Sequence, residues 1–353
     1  MFQSISLQIF IGVLLLGGVW GGLQFAYAGL LKEPRFLLRV IFPVLLSVAS
    51  YFRLGFGYDY DSYYSLYLSL PDCGCYSKGP LFFSFFSLVK SLGISFDLAL
   101  SFITFISVHL LVSVVIYLTP KRIILPTLLV LSLYFFVSLM GQVRQFLAIM
   151  VAAYAIVVIS RNGYSFLLYC VSILIHPSLF VLFPAYILYR KDIFLRLNIS
   201  ITLLFASVFL GQLGLIYSFL PFMSELPVVG PYADKVISYH ENWVQGGMSI
   251  SFATVVFTQL LFFYLFHTIR QDRCSRKLYI VSLFGAVCVF LLMKDVHISG
   301  RIIKIFRVFD CLLLARLLYL GAHGSKSHIL FKCGIAVFVL VFLIKDYYRL
   351  SSL

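Results

Sequence analysis

Apolar runs of about twenty residues recur along the chain, separated by short polar stretches, and a run of that length spans the hydrocarbon core of a bilayer as a helix. Helices are predicted near 5–28, 36–53, 96–118, 122–140, 143–160, 199–220, 249–269, 278–294, 302–320 and 328–345. A transmembrane β-barrel would instead show alternating apolar and polar positions in segments of about ten. Leu128 to Phe136, interrupted only by Ser132, and Val337 to Ile344 are apolar on every face, so helices are favoured. Segment 79–93 is apolar but holds Gly79, Pro80 and Lys90, which predicts a short helix in or near the interface. Segment 164–189, at about 26 residues, is awkward for one span and too short for two full ones. It is broken at His176-Pro177, because proline removes a backbone donor and disfavours helix at the residue before it. The expected fold is all-α: a polytopic transmembrane helical bundle of about 10–12 membrane helices, one of them interrupted at His176-Pro177. The apolar run from Ile9 to Val19 has the length of a signal peptide, but no basic residue precedes it and the hydrophobicity continues to Ala28, so a first membrane helix is the better reading.

Lysine and arginine in short loops set the orientation. One set of loops carries Lys32 and Arg35, Lys121 and Arg122, Arg161, Arg190 with Lys191 and Arg196, Arg270 to Lys277, and Lys326. The alternate set carries Asp59, Asp61 and Asp72, then Glu225, Asp234 and Glu241. The basic set is therefore assigned to the cytoplasm and the acidic set, with the N-terminus, to the outside. Arg161 and Arg190 both fall on the cytoplasmic side, so segment 164–189 should enter and return as two short helices with His176-Pro177 near the apex. Residues 1–353 then form a single transmembrane domain with two sizeable outer loops, 54–79 and 221–248. These loops leave no room for a nucleotide-binding domain, and no glycine-rich phosphate motif lies on the cytoplasmic side, which argues against an ATP-driven transporter. The chemistry belongs at the outer surface.

Composition agrees with this picture. Of 353 residues, 62% are hydrophobic and 11% charged, against about a quarter charged in a soluble domain. The formal charge of +14 is accounted for by cytoplasmic anchors facing anionic headgroups rather than by nucleic-acid binding. Cys73-Gly74-Cys75 lies in an outer loop where disulfides can form, although a ring across one residue is strained. No Cys and His spacing resembles a metal site: His240-Glu241 and the pair His323 and His328 lack further ligands nearby. No metal and no cofactor is expected.

Charge at the rim or inside a membrane domain is costly and is usually kept for function. Four places carry it. Arg53 closes a helix and is followed by Asp59, Asp61 and Tyr63 among further tyrosines; this is either an interfacial aromatic belt or the arginine and carboxylates that phosphate binding and base catalysis require. Arg144 with Gln145 sits in a tight outer turn, where a guanidinium can snorkel or can grip a phosphate bidentately. His176-Pro177-Ser178 lies at the broken apex, where a structural histidine competes with a catalytic one. Lys294-Asp295 is followed by His297, Arg301, Lys304 and Arg307; three cations at a spacing of three contradict the positive-inside bias and call for a compensating anion. Arg53, Arg144 and Arg301 come from distant segments and all land on the outer face in this topology, which suggests a lipid-linked phosphate or pyrophosphate. Aromatic residues, 18% of the chain with 23 tyrosines, suit both an interface and sugar stacking.

These residues, in this order, resemble the EpsG-like branch of the Wzy polysaccharide polymerases. The resemblance is carried by Arg53, Gly57-Tyr58-Asp59-Tyr60 and Tyr63, then Gly79-Pro80-Leu81-Phe82, Leu92-Gly93, Arg144-Gln145-Phe146-Leu147-Ala148, His176-Pro177-Ser178 and Arg301, and it runs over nearly the whole chain. One departure stands out: the family commonly has an acid before the proline near position 80, where this chain has Lys78-Gly79. That shifts the expected carboxylate to Asp59 and Asp61. The resemblance implies a glycosyltransferase of the bacterial inner membrane that polymerises undecaprenyl-pyrophosphate-linked repeat units into O-antigen, capsule or exopolysaccharide at the periplasmic face. It implies catalytic roles for Asp59, Asp61 and His176, and substrate contacts from Arg53, Tyr63, Arg144, Gln145, Arg301 and Lys304. The implied partners are the undecaprenyl-pyrophosphate-linked glycan, membrane lipid, and chain-length regulator and flippase proteins. The alternative is a transporter or flippase of lipid-linked oligosaccharide, which should show inverted repeats and charges near the midplane; no clear repeat is visible and the charges gather at the rim. A non-catalytic membrane scaffold would not need the outward arginines.

Overall fold

The computed structural model describes residues 37–52, 59–70, 79–120, 142–191, 196–225, 237 and 250–320. The spans predicted at 5–28, 122–140 and 328–345, together with Arg53, Cys73, Cys75 and most of the 221–248 loop, lie outside the described residues. Among the described residues every regular element is helical, as the all-α reading requires. The chain divides into two compact units, residues 1–180 with 314–353, and residues 181–313.

In the first unit a π-helical turn, Leu37–Ile41, runs into α1, Phe42–Tyr51. It is followed by α2, Tyr60–Ser69; α3, Pro80–Ser91; α4, Phe96–Leu118; α5, Val143–Val157; and α6, Asn162–Ile175. Helix α4 begins where the sequence says it should: the Ser95 side chain accepts from the Leu98 N–H, and Asp97 sits in the first turn against the positive end of the helix dipole. Helix α4 packs on α1 and α5, and α5 on α6. Between membrane helices lipid is as apolar as leucine, so close approach and hydrogen bonds carry the association. Ser101 Oγ donates to the Ser47 carbonyl at 2.7 Å and Thr104 Oγ1 to Ser50 Oγ at 2.9 Å across α4 and α1. Ser165 Oγ donates to the Ala155 carbonyl at 2.7 Å across α6 and α5. Ala148, Ala152, Ala153 and Ala155 keep α5 slim where it is buried.

The region 54–79, predicted as a loop, contains helix α2. Its composition is too polar to signal a membrane helix, but Tyr60, Tyr63 and Tyr67 recur at the spacing of one helical face. That face meets α3 and the start of α4: Tyr60 packs on Phe96 at 5.4 Å between ring centroids, Tyr63 on Phe82 at 5.7 Å and Tyr67 on Phe86 at 5.9 Å. Polar straps hold the helix in place. Tyr60 donates to Asp97 at 2.7 Å, Tyr67 donates to the Ile94 carbonyl, and Lys90 closes the C-terminal end of α2 by donating to the Leu70 carbonyl at 2.7 Å.

The break at His176-Pro177 is as predicted. Helix α6 stops at Ile175, and a 3₁₀ segment, Pro177–Leu182, follows. The buried Tyr169 donates to the Leu179 carbonyl at 2.7 Å, satisfying backbone that the interrupted helix leaves over.

The second unit contains α7, Phe183–Arg190; α8, Leu197–Leu213; α9, Leu215–Ser224; α10, Ile250–Tyr264; α11, Phe266–Gln271; and α12, Arg273–Leu291. Helix α13, Val296–Leu320, begins here and ends in the first unit. The single span predicted at 199–220 is instead two helices, divided at Gly214, which adopts the left-handed conformation with φ 70°. Helix α8 lays Ser200, Leu204, Ser207 and Gly211 in one buried seam, and a Cβ on Gly211 would stand 2.0 Å from the Phe290 carbonyl of α12. Helices α4 and α12 are long and apolar enough to cross a membrane by length and composition, and several shorter apolar helices accompany them. Large apolar side chains face outward, among them Phe205 at 74% exposed, the surface expected of a protein solvated by lipid.

Candidate functional site

Arg144 occupies the first turn of α5, directly after Gln142 and Val143. Backbone N–H groups without helical partners and the positive end of the helix dipole gather there, so the position favours an anion. The guanidinium is held among three aromatic faces, its central carbon lying 5.3 Å from the ring centroid of Phe83 and 5.9 Å from those of Tyr63 and Phe82. Cation–π attraction fixes the plane of an arginine in this way, which limits the rotamer freedom it would lose on gripping a ligand. Arg144 is also hydrogen-bonded to the Tyr63 side chain.

Gly79, immediately before α3, is where the third wall comes in. A Cβ at this position would lie 2.6 Å from the Ile175 carbonyl and 3.3 Å from Nη1 of Arg144. Glycine is thus required by space: the last residue of α6, the start of α3 and the arginine side chain meet at one point.

Tyr63 is half-buried, and burial pushes its phenol up to about 12; the negative charge of Asp59 adds to the rise, while Arg144 opposes it. At neutral pH Tyr63 remains a protonated phenol. Asp59 is the N-cap residue of α2 and its carboxylate makes no capping bond; its backbone carbonyl accepts from the Tyr63 N–H at 2.9 Å. Asp61 lies in the first turn of α2 and is exposed. Gln145, one position beyond Arg144, is buried at 6% exposure. His176 follows Ile175 and is half-buried, with Nδ1 accepting from the Ser178 N–H at 3.3 Å and lying 2.7 Å from Ser178 Oγ. The first unit therefore brings together Asp59, Tyr63, Arg144 and the backbone beside His176. Phe82 and Phe83 complete the group; the sequence offered only the Gly-Pro helix start at 79–80 and the phenylalanines behind it as a signal.

In the second unit the α13 cations form a regular stripe. Arg301, Lys304, Arg307 and Asp310 are each half-buried, and the two residues between successive members are buried. Arg307 donates to Thr254 Oγ1 of α10. Asp310 accepts from Ser282 of α12, which in turn accepts from Gln259 Nε2 of α10 at 2.9 Å. Asp310, three residues after Arg307 on the same face, places an acid beside the stripe that the sequence reading did not single out. Lys294 packs over Gly214, and Asp295 caps α13 by accepting from the Ile298 N–H at 2.9 Å. Among the described residues no group of three or more His, Cys, Asp or Glu side chains is placed to hold a metal ion.

No curated protein and no solved structure matches this chain. Compared with known protein families, residues 36–352 match the EpsG family, a span that takes in both units and every candidate residue named above. The chain belongs to the EpsG family, a family of Wzy-type polysaccharide polymerases.

Proposed function

We propose that the protein is a glycosyltransferase of the bacterial inner membrane that joins undecaprenyl-pyrophosphate-linked repeat units into a surface polysaccharide at the periplasmic face. The observation that carries this reading is the Arg144 guanidinium, stacked among Tyr63, Phe82 and Phe83 at the start of α5. An oriented cation beside a helix N-terminus, within a membrane protein, suits a pyrophosphate that must leave. In the reaction an acceptor sugar hydroxyl attacks the anomeric carbon of the growing glycan. The bond from that carbon to the pyrophosphate oxygen breaks, and undecaprenyl pyrophosphate departs with the bonding pair. The hydroxyl proton passes to a carboxylate, for which Asp59 is the first candidate and Asp61 the second. Arg53, Gln145, Arg301 and Lys304 are assigned to binding the anionic carrier and its glycan. A chain-length regulator and a flippase are the protein partners this chemistry calls for.

The test is a deletion strain complemented with Arg144→Ala or Arg144→Lys, scored on a surface-polysaccharide gel with protein abundance measured in parallel. Arg144→Ala should leave single repeat units without a ladder. Arg144→Lys should restore little, because a point charge lacks the bidentate fork. Complete absence of repeats at the surface would indicate export instead, and a full ladder with either variant would reduce Arg144 to a membrane anchor.

A further inference from the structure

His176 stands between the end of α6 and the 3₁₀ segment, with extended backbone at φ −145° and ψ 109°. Because Pro177 has no N–H, the first donor of the new segment is that of Ser178, and it points at His176 Nδ1 from 3.3 Å. A backbone amide can only donate, so Nδ1 is the acceptor nitrogen and carries no hydrogen. The Ser178 hydroxyl, 2.7 Å from the same nitrogen, then donates to it as well. In the neutral ring the remaining hydrogen must sit on Nε2. That nitrogen has no lone pair to offer, and the one lone pair of the ring is committed to the chain turn. A base needs the reverse arrangement. His176 also sits next to the binding group: the carbonyl of Ile175, the preceding residue, and Nη1 of Arg144 both converge on Gly79.

Resting on the polymerase reading, we propose that His176 contacts the substrate as a hydrogen-bond donor, its Nε2–H bonding a pyrophosphate oxygen of the lipid carrier, and that it is not the base of the reaction. A pyrophosphate offers only acceptors on the side that faces the protein, so a neutral imidazole with Nε2–H complements a guanidinium there without adding a second charge to be desolvated. The proline serves this purpose through its neighbour: by deleting one N–H it makes the next one the cap donor, and the cap fixes the tautomer.

Two amide side chains separate the nitrogens. In His176→Asn the side-chain oxygen can take the place of Nδ1 and keep the cap, but no donor reaches the Nε2 position. In His176→Gln the amide can place a donor near the Nε2 position, while the cap is lost. The assay uses full-length purified protein in nanodiscs, with lipid-linked repeat units extracted from a polymerase-deficient strain of the source bacterium. His176→Gln should keep a substantial share of the polymerisation rate, and His176→Asn should lose roughly 100-fold, the usual effect of deleting one preorganised donor. The reverse order would show a purely structural cap and overturn the proposal, as would two fully active variants. Two inactive variants that melt like the wild type would point to a base and overturn it too. The wild-type protein gives an answer independent of whether the variants fold: ¹⁵N-histidine NMR, assigned by difference against His176→Gln, should show a hydrogen-free Nδ1 and a protonated Nε2, and a proton on Nδ1 would sink the idea. Arg144→Ala run alongside keeps the two readings apart. Full activity in that variant removes the pyrophosphate site itself, whereas an inactive Arg144→Ala with the Asn and Gln results reversed removes only the role of His176.

Discussion

Gly79→Ala is the most direct probe of the geometry around Arg144. The added Cβ would lie 2.6 Å from the Ile175 carbonyl and 3.3 Å from Arg144 Nη1. The first contact is short of ordinary van der Waals separation by about 0.8 Å. The blocking atom is backbone, so a rotamer change cannot relieve it, and either the start of α3 or the end of α6 must move. Overpacking of this kind costs about 1–3 kcal/mol. Phe82 and Phe83 ride on α3, three and four residues beyond the substituted position, and a displacement approaching 1 Å at a positioned group can cost roughly 100-fold in rate. The expected outcome is a ladder shortened to its lowest rungs, a rate down about 10- to 100-fold, and a modest loss of melting temperature. Gly163→Ala is the control: nothing lies within 4 Å of its added Cβ, and helix α6 should tolerate or slightly favour alanine there. A wild-type ladder from Gly79→Ala at normal abundance would refute the close approach of α3, α6 and Arg144.

Three further outcomes follow from the same structure. Replacing Asp59 by Asn should lower in vitro polymerisation by at least about 100-fold, as removal of a general base does, while Asp61→Asn should have a minor effect; equal losses, or none, would be incompatible with the assignment of Asp59. Asp310→Ala removes the acid beside Arg307 and should lower stability by ~2 kcal/mol or more, read as melting temperature in detergent, with Arg307→Met in the same chain restoring part of it; unchanged melting of Asp310→Ala would show that the charge needs no compensation. Introduced cysteines at the N-terminus and in 221–248 should label from the periplasm and those in 270–277 from the cytoplasm, and labelling of all three from one side would overturn the orientation.

The strongest periodic features were legible in the sequence because their causes are local. Helix α4 was placed at its observed limits by its 23-residue apolar run, and the structure adds the Ser95 cap that starts it. The break at His176-Pro177 follows from the missing amide of one residue. Helix α2 was missed because its signal is a tyrosine face at helical spacing in a polar stretch, and that pattern stabilises a helix only through the phenylalanines of α3, some twenty residues away in sequence. Gly214 was missed for a related reason. An apolar run hides a left-handed residue, and only the packing of Lys294 over it shows the turn. At the site, Arg144 stood out as charge in a costly place, whereas its walls did not, since Phe82 and Phe83 look like ordinary membrane residues until the fold turns them toward the guanidinium.

The same contacts narrow the choice of base by elimination of proton acceptors. Tyr63 touches Arg144 but is pushed up to about 12 by burial, so at working pH its oxygen holds a proton and cannot take another from a sugar. On the reading above, His176 has its acceptor nitrogen engaged by the Ser178 amide. Arginine has no acceptor at all. What is left within α2 is carboxylate, and the helix start separates the two candidates. Asp61 lies inside the first turn, exposed, where an acid stabilises the helix through its dipole whatever else it does. Asp59 lies one residue before the helix, half-buried, with no capping bond from its side chain and with enough charge at Tyr63 to raise its phenol. A residue at the N-cap that leaves the cap unmade forgoes about 1 kcal/mol of helix stability. That cost means the Asp59 carboxylate is not spent on the helix start, and its place one residue before α2, close enough to act on Tyr63, is why the proposed reaction assigns the proton of the acceptor hydroxyl to Asp59 rather than to Asp61.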